Sequence, residues 1–158
     1  MNKLSNVINY GKHYIDKSDI NSVNRVLKSK FLTQGQEVNK FESHIGKYFG
    51  SKYVVSLSNG TAGLNLVSKI LKWKKGDIIF CSPITFVSSS NCILHQGAKV
   101  VFVDINKKTF NIDDKILEKL LKKKDIRNRA KAIIATDYAG NPCNWKALKK
   151  ISKKNNLI

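Results

Sequence analysis

The chain has 158 residues and 42% of them are hydrophobic, which is enough to bury the core of one ordinary domain. Its 29 lysine and arginine residues outnumber 11 acidic ones, and the resulting net charge of +18 would suit an anionic partner. The basic residues are nevertheless spread along the chain beside abundant asparagine and isoleucine, as an AT-rich genome produces, so composition alone accounts for the charge.

The cysteines and the apolar runs restrict the cellular setting. Three cysteines form no CxxC pair and have no histidine at metal-ligand spacing, so neither a disulfide framework nor a zinc site is indicated. The sequence shows no signal-peptide pattern, and no apolar run approaches the roughly 18 residues of a membrane span. We therefore expect a cytoplasmic protein with no membrane association.

The first 50 residues predict a helical segment. Apolar residues recur at helical spacing after Ser18-Asp19, a plausible N-cap, and again from Val38 to a stop at Gly50. The residues between these helices, 30–35, fit neither helical nor strand periodicity. They predict an exposed loop that carries two apolar side chains, Phe31 and Leu32.

From residue 51 onward, short apolar runs alternate with helical patterns. This alternation predicts a parallel sheet with helices on both faces, a three-layer α/β/α sandwich. The last residues, Leu157-Ile158, look like the beginning of a further strand, so we expect an N-terminal fragment with an incomplete α/β domain over 51–158. The predicted strands are 53–57, 78–81, 100–103 and 132–135, and the predicted helices are 61–71, 87–96, 113–121 and 144–155.

The loop Ser58-Asn59-Gly60-Thr61-Ala62-Gly63 is the first candidate site, because ligands of such sheets bind beyond the carboxyl ends of the strands. A glycine turn, a threonine hydroxyl and unpaired N–H groups of Thr61, Ala62 and Gly63 at a helix N-terminus would bind a phosphate. Alternatively, Ser58 or Asn59 only caps the helix. The loop is neither a Walker A motif nor GxGxxG, which disfavours ATP and dinucleotides.

Two further loops are candidates. After the strand that ends at Cys81, Phe86 would either stack on a flat heterocycle or pack in the core. After the strand 132–135, Asp137 or Tyr138 would either face a ligand or belong to a Gly- and Pro-containing turn. We assign Asp104, which follows the strand 100–103, only a local hydrogen-bonding role.

A set of short motifs follows one another in a fixed order along nearly the whole chain. The motifs are Tyr10-Gly11-Lys12, Leu32-Thr33-Gln34-Gly35, Phe41-Glu42, Tyr48-Phe49-Gly50, Ser58-Asn59-Gly60-Thr61-Ala62, Pro83-Ile84-Thr85-Phe86-Val87, Gly97-Ala98, Val103-Asp104, Asn111-Ile112-Asp113 and Asp137-Tyr138-Ala139-Gly140. Taken in order, these motifs resemble the DegT/DnrJ/EryC1/StrS aminotransferases. Within that family the resemblance is greatest to the transaminases of pseudaminic acid synthesis.

The resemblance implies the large domain of a fold type I enzyme dependent on pyridoxal 5'-phosphate, of which only the N-terminal part is present. It places Gly60, Thr61 and Ala62 at the cofactor phosphate and Phe86 on the pyridine ring. The sugar-nucleotide side would be lined by Tyr10, Lys30, Phe31, Leu32, Thr33 and Gly60. The family's Schiff-base lysine, and the aspartate that pairs with the pyridinium nitrogen, fall beyond Ile158, so this chain alone should not transaminate.

The implied reaction of the whole enzyme is transfer of an amino group from glutamate to a UDP-linked 4-keto-6-deoxy amino sugar, by a homodimer without metal. Two alternatives compete with it. A sugar dehydratase of the same fold carries a histidine in place of the lysine. A basic nucleic-acid-binding module would exploit the charge, but no RNP, KH or helix-turn-helix pattern supports it, so we expect no nucleic-acid partner.

Overall fold

The computed structural model describes residues 11–158, which fall into two compact units divided between Ser56 and Leu57. The sequence pattern had suggested a division at residue 50. No helix in the described range is long and apolar enough to cross a membrane.

The first unit contains two helices, α1 (Lys17–Leu27) and α2 (Gln36–Phe49). Helix α1 begins one turn earlier than predicted, because Asp16 and not Ser18-Asp19 is its N-cap. The Asp16 carboxylate accepts hydrogen bonds from the backbone of Ser18 and Asp19, and the Asp19 carboxylate accepts one from the Asp16 N–H. This capping box satisfies N–H groups that a helix start leaves unpaired.

Helix α2 ends as predicted at Gly50, whose φ of 65° lies in the left-handed region that glycine adopts without steric cost. The chain then runs back along the helix: the Ser51 N–H donates to the Gly46 carbonyl at 2.9 Å, and the Ser56 N–H donates to the Glu42 carboxylate at 2.7 Å. The predicted strand 53–57 is wrong, since these residues form no ladder with any described strand. An apolar run becomes a strand only where a neighbour offers its backbone.

The second unit is built on a parallel three-stranded sheet of order β2-β1-β3. The strands are β1 (Ile78–Cys81), β2 (Lys99–Phe102) and β3 (Ala130–Ile134), which confirms three predicted strands to within two residues at each end. The helices are α3 (Gly60–Ile70), α4 (Ser88–Leu94), α5 (Asp114–Leu121), α6 (Lys124–Arg129) and α7 (Trp145–Asn155). Helix α6 and a 3₁₀ turn, Tyr138–Gly140, were not predicted.

Alternate residues of β1 point to opposite faces of the sheet and into two separate hydrophobic clusters. Ile78 and Phe80 pack with residues of α5 and α7, whereas Ile79 and Cys81 pack with residues of α4 and with Leu64 of α3. The helices therefore cover both faces, and the predicted three-layer α/β/α architecture is confirmed.

The residues after α7 return to the sheet. The Ile158 N–H donates to the Lys131 carbonyl at 3.0 Å, and the Ile133 N–H donates to the Ile158 carbonyl at 2.8 Å. This is the bonding of a parallel strand beside β3, on the side away from β1. The predicted onset of a strand at Leu157-Ile158 is confirmed.

All three cysteines are buried and unpaired. Burial raises the pKa of the Cys81 thiol to about 11, and burial together with the neighbouring Asp137 carboxylate raises the pKa of Cys143 to about 11. Burial also raises the pKa of Cys92.

Candidate functional site

The N-termini of α3 and α4 lie at the same edge of the sheet, the carboxyl edge. The two helices pack against each other, and His95, just after α4, lies 3.1 Å from Asn65 in the middle of α3 (Nδ1 to Oδ1). At the opposite edge, the Lys99 N–H donates to the Asp77 carbonyl and joins the amino ends of β1 and β2. The loops before α3 and α4 therefore face the side where ligands of open parallel sheets bind.

Asn59 caps α3, and this changes which amides are available. Its side-chain oxygen accepts from the Ala62 N–H at 2.9 Å, and its carbonyl accepts from the Gly63 N–H at 3.3 Å. The expectation that the Ala62 and Gly63 amides are unpaired is therefore wrong. Gly60 and Thr61 keep N–H groups that have no hydrogen-bond partner among the described residues, so capping and anion binding can coexist at this helix end.

Phe86 stands in the loop between β1 and α4 with 71% of its surface exposed. It makes no part of either hydrophobic cluster, which excludes the alternative that it packs in the core. Its backbone is fixed, because its carbonyl accepts from the Ser89 N–H at 3.0 Å at the start of α4. The Phe86 ring is held at the carboxyl edge and is exposed there, so a flat ligand could stack on it.

Three hydroxyl groups join the loop after β1 to the loop after β3. The Thr85 Oγ1 lies 2.9 Å from the Ser89 Oγ and 2.9 Å from the Thr136 Oγ1. One hydroxyl can donate one hydrogen bond and accept another, so Thr85 can satisfy both partners at once. Thr85 belongs to the motif Pro83-Ile84-Thr85-Phe86-Val87, but its contact with Thr136 could not be predicted, because residues 51 positions apart share no local signal.

The Asp137 carboxylate stabilises the loop after β3 by accepting two hydrogen bonds. Its Oδ1 accepts from the Cys143 N–H at 2.8 Å and from the Trp145 indole N–H at 3.1 Å. The Cys143 backbone N–H is the main reason why the pKa of this carboxyl lies below its ordinary value. Of the two alternatives, the structural turn accounts for Asp137, since its carboxylate is already engaged.

Tyr138 is an exposed aromatic residue of that loop, and a buried asparagine positions it. Tyr138 is 41% exposed, and its N–H donates to the Asn111 Oδ1 at 2.9 Å. The Asn111 side-chain amide donates to the Asn141 carbonyl at 2.8 Å, so one side chain binds both ends of the 3₁₀ turn. The tilted rings of Phe110 and Tyr138 lie 6.0 Å apart. Asn111 stood in a quoted motif, but its burial could not be predicted from sequence.

The predicted sugar-side residues Lys30, Phe31 and Leu32 line a cleft of about 450 Å³ within the first unit, and Thr33 is adjacent in sequence but is not part of its lining. Phe31 and Leu32 are both more than 60% exposed, as the sequence pattern predicted. The Lys30 Nζ lies 5.5 Å from the centre of the Phe31 ring. Tyr10 lies outside the described residues.

Across the same cleft, Glu37 is the acidic partner of two cations. Its carboxylate lies 2.8 Å from the Lys40 Nζ and 3.8 Å from the Arg25 guanidinium. The Lys40 hydrogen bond is the main reason why the pKa of Glu37 is lowered. Lys30 has no such carboxylate among the described residues, so its charge remains available to an anion.

The parallel three-layer fold, the anion-competent start of α3 and the exposed aromatic ring are features of fold type I enzymes that depend on pyridoxal phosphate. The chain belongs to the DegT/DnrJ/EryC1/StrS aminotransferase family, whose sequence profile matches residues 13–158.

Curated relatives support this assignment. An uncharacterized protein of Methanocaldococcus jannaschii is 41% identical over 90% of this chain, which spans 36% of the relative. A UDP-4-amino-4,6-dideoxy-N-acetyl-β-L-altrosamine transaminase of Campylobacter jejuni is 36% identical over 96% of this chain and 39% of its own length. A GDP-4-keto-6-deoxy-D-mannose 3-dehydratase of Yersinia pseudotuberculosis is 34% identical over 90% of this chain and 37% of its own length.

Solved structures agree. A Helicobacter pylori aminotransferase involved in the biosynthesis of pseudoaminic acid superposes with a TM-score of 0.84 at 34% identity, covering 94% of this chain and 39% of its own. A Streptococcus pneumoniae protein described as a sugar aminotransferase, in its PLP form, superposes with a TM-score of 0.80 at 28% identity. The match covers 92% of this chain and 36% of the other. The chain therefore spans between a third and two fifths of the proteins it matches, and pyridoxal phosphate is the cofactor of its class.

Proposed function

We propose that this chain is the N-terminal part of a pyridoxal-phosphate-dependent aminotransferase that transfers an amino group from glutamate to a UDP-linked 4-keto-6-deoxy amino sugar. The observation that carries the proposal is the placement of two features at one sheet edge. One is a helix start at which the Gly60 and Thr61 N–H groups have no partner in the described part of the chain, and the other is the exposed ring of Phe86.

On the cofactor side, the residues present fit a phosphorylated aromatic ring. The Gly60 and Thr61 amides and the Thr61 hydroxyl would donate to the phosphate, and the positive end of the α3 dipole would stabilise its charge. Ala62 lies beside them, but its N–H is engaged by Asn59, so its proposed contribution is to the shape of the phosphate site. Phe86 would cover one face of the ring and exclude water from it.

On the sugar side, the proposed residues are Tyr10, Lys30, Phe31, Leu32, Thr33 and Gly60. Lys30 would donate to the diphosphate of a sugar nucleotide, since its ammonium group is not neutralised within the described residues. Phe31 and Leu32 would give the bound sugar nucleotide an apolar surface at the cleft, which accounts for two exposed apolar side chains in a short loop.

When bound, pyridoxal phosphate supplies an electron-poor ring that stabilises negative charge at the substrate carbon. The residues of this chain would bind and orient that ring, whereas the proton-moving lysine and the aspartate at the ring nitrogen would come from sequence beyond Ile158. We therefore propose that the 158 residues alone are inactive. The whole enzyme would be a cytoplasmic homodimer taking part in surface polysaccharide biosynthesis.

The test uses the whole protein, expressed from its complete reading frame and mixed with pyridoxal phosphate. We expect a bound-cofactor absorbance band that glutamate shifts and that a UDP-4-keto-6-deoxy amino sugar shifts back. A protein that binds no pyridoxal phosphate would refute the proposal.

In the whole protein, the Phe86→Ala variant tests whether the ring of Phe86 stacks on the cofactor. Losing the ring should weaken cofactor binding about 5- to 10-fold, corresponding to an aromatic stacking contribution of about 1 kcal/mol. Ile70→Ala is the matched control, because Ile70 is 66% exposed but lies at the other end of α3. Equal cofactor affinity in the two variants would contradict the role of Phe86.

A sugar dehydratase of the same fold is the second candidate, favoured by the similarity to the Yersinia enzyme. The cofactor-side residues of this chain would serve either reaction. The residue at the Schiff-base position separates the two: lysine indicates the aminotransferase and histidine the dehydratase. Release of water from the sugar without amino transfer would support the dehydratase.

A further inference from the structure

Thr85 occupies a central position between two loops of the carboxyl edge. Its hydroxyl contacts Ser89 on its own side, at the start of α4, and Thr136 on the other side, directly after β3. Ser89 is buried, with 6% of its surface exposed, and Thr85 and Thr136 are half-buried. Hydrogen bonds shielded in this way are weakened little by competing water.

Each partner of Thr85 is itself held in place. The Ser89 N–H binds the Phe86 carbonyl, so Ser89 contacts both Thr85 and the backbone of Phe86. Thr136 precedes Asp137, whose carboxylate binds the Cys143 N–H and the Trp145 indole, and the Thr136 carbonyl accepts from the Cys143 thiol at 3.2 Å. The loop after β3 thus forms a fixed support.

The side chain of Phe86, unlike its backbone, is not held by neighbouring residues that the structure describes. Its side chain is 71% exposed and belongs to neither hydrophobic cluster, so side-chain packing does not set the position of its ring. Its position depends on the backbone of residues 85 and 86. That backbone is anchored locally by Ser89, and across the sheet edge by the Thr85–Thr136 hydrogen bond.

We propose that Thr85, Thr136 and Ser89 form a hydroxyl bridge that positions Phe86, with Thr136 as the residue that ties the aromatic loop to the neighbouring strand. This inference rests on the proposed function, because the position of Phe86 matters only if its ring meets a cofactor. The residues are positioning residues and take no part in proton transfer.

The test compares Thr136→Val with Thr85→Ser in the whole protein. Thr136→Val keeps the shape of the side chain and removes the hydroxyl that reaches Thr85, while leaving the Thr85–Ser89 pair intact. Thr85→Ser retains the hydroxyl and should behave like the wild type. Ser90→Ala is the matched control, since the Ser90 hydroxyl makes only a local bond to the Val87 carbonyl.

The first measurement is hydrogen exchange without cofactor. We expect the peptide covering residues 83–90 to exchange about 3- to 10-fold faster in Thr136→Val, the range expected for one lost hydrogen bond, and no change in Thr85→Ser or Ser90→Ala. Unchanged exchange in Thr136→Val would overturn the bridge, whatever the protein binds. Faster exchange throughout the protein would also overturn it, because it would indicate general destabilisation.

The second measurement is binding of pyridoxal phosphate, followed by the circular dichroism of the bound ring. We expect Thr136→Val to bind about 3- to 10-fold more weakly with a smaller dichroic signal, and Thr85→Ser to match the wild type. Wild-type affinity and signal in Thr136→Val would overturn the inference while leaving the proposed function standing. Absence of binding in the wild type itself would instead reject the proposed function and with it the role given to the bridge.

Discussion

Asp137 is a residue whose role could not be decided before its hydrogen bonds were known. Its sequence position, directly after a strand, is equally suited to a ligand contact and to a turn. The carboxylate accepts from Cys143 and Trp145, so it organises the loop that carries Tyr138. The same hydrogen bonds lower its pKa, which makes its contribution to stability dependent on pH.

Replacing Asp137 by asparagine should therefore destabilise the protein near neutral pH and matter less in acid. The folded-state pKa lies below the ordinary value of 3.8, so the stabilisation is complete above that value and is lost as the pH falls through the lower folded-state pKa. Thermal unfolding of wild type and Asp137→Asn from about pH 7 to about pH 2 measures the difference.

Asp125→Asn is the control for this comparison, because the Asp125 carboxylate accepts no hydrogen bond within the described range. A constant gap between wild type and Asp137→Asn at every pH would show that the carboxylate charge is not the source of the effect.

A single residue, Gly50, sets the C-terminal boundary of helix α2. Gly50 has a φ of 65°, and a methyl group added there would meet no atom within 4 Å. Gly50→Ala should cost about 1 kcal/mol through the left-handed backbone alone. Gly50→Asn should cost less, since asparagine tolerates this conformation.

Urea unfolding measures the cost: the midpoint should fall while the denaturant slope stays unchanged. If Ala and Asn were tolerated equally, the backbone conformation of residue 50 would not be what limits the substitution.

The described helices other than α6, and the three strands of the sheet, could be predicted because their information is local. Hydrophobic period and stop signals gave β1, β2, β3 and the four longer helices of the second unit to within a few residues. The run 53–57 has the same composition as a strand, yet a ladder requires a neighbouring backbone, which no local pattern encodes. Helix α6 was missed because KDIRNR has only one apolar residue, so it shows no period.

The candidate site also has some features with a local sequence signal and others that depend on distant residues. The placement of Phe86 at the carboxyl edge followed from its position directly after the predicted strand that ends at Cys81. The placement of Gly60 had been inferred from the strand 53–57, which does not form. The Asn59 cap, the Thr85–Thr136 contact and the burial of Asn111 depend on atoms brought together from distant positions, and these could not be predicted.

Although the basic residues are spread along the sequence, many lysines of the second unit lie on the side of the sheet that α5 and α7 cover. Helix α7 carries five lysines and no acidic residue, and α5, against which it packs, is followed directly by Lys122, Lys123 and Lys124. The two ion pairs among the described residues both lie in the first unit. Unpaired like charges repel one another, and dissolved ions screen that repulsion.

The protein should consequently become more stable as sodium chloride is added. Replacing Lys149 and Lys153, one helical turn apart on α7, by glutamine should raise the melting temperature at low salt and flatten its dependence on salt. Calorimetry at increasing ionic strength measures both effects. A melting temperature that falls with salt would mean that attractive pairs outweigh the repulsion.

The depth at which the three thiols lie has a practical consequence. Burial raises the pKa of all three thiols, to about 11 for Cys81 and Cys143, so we expect the native sulfurs to react slowly with thiol reagents near neutral pH. A reporter group can then be attached through a new cysteine on the surface while the natural ones are left in place, which avoids opening the core in order to study its motions.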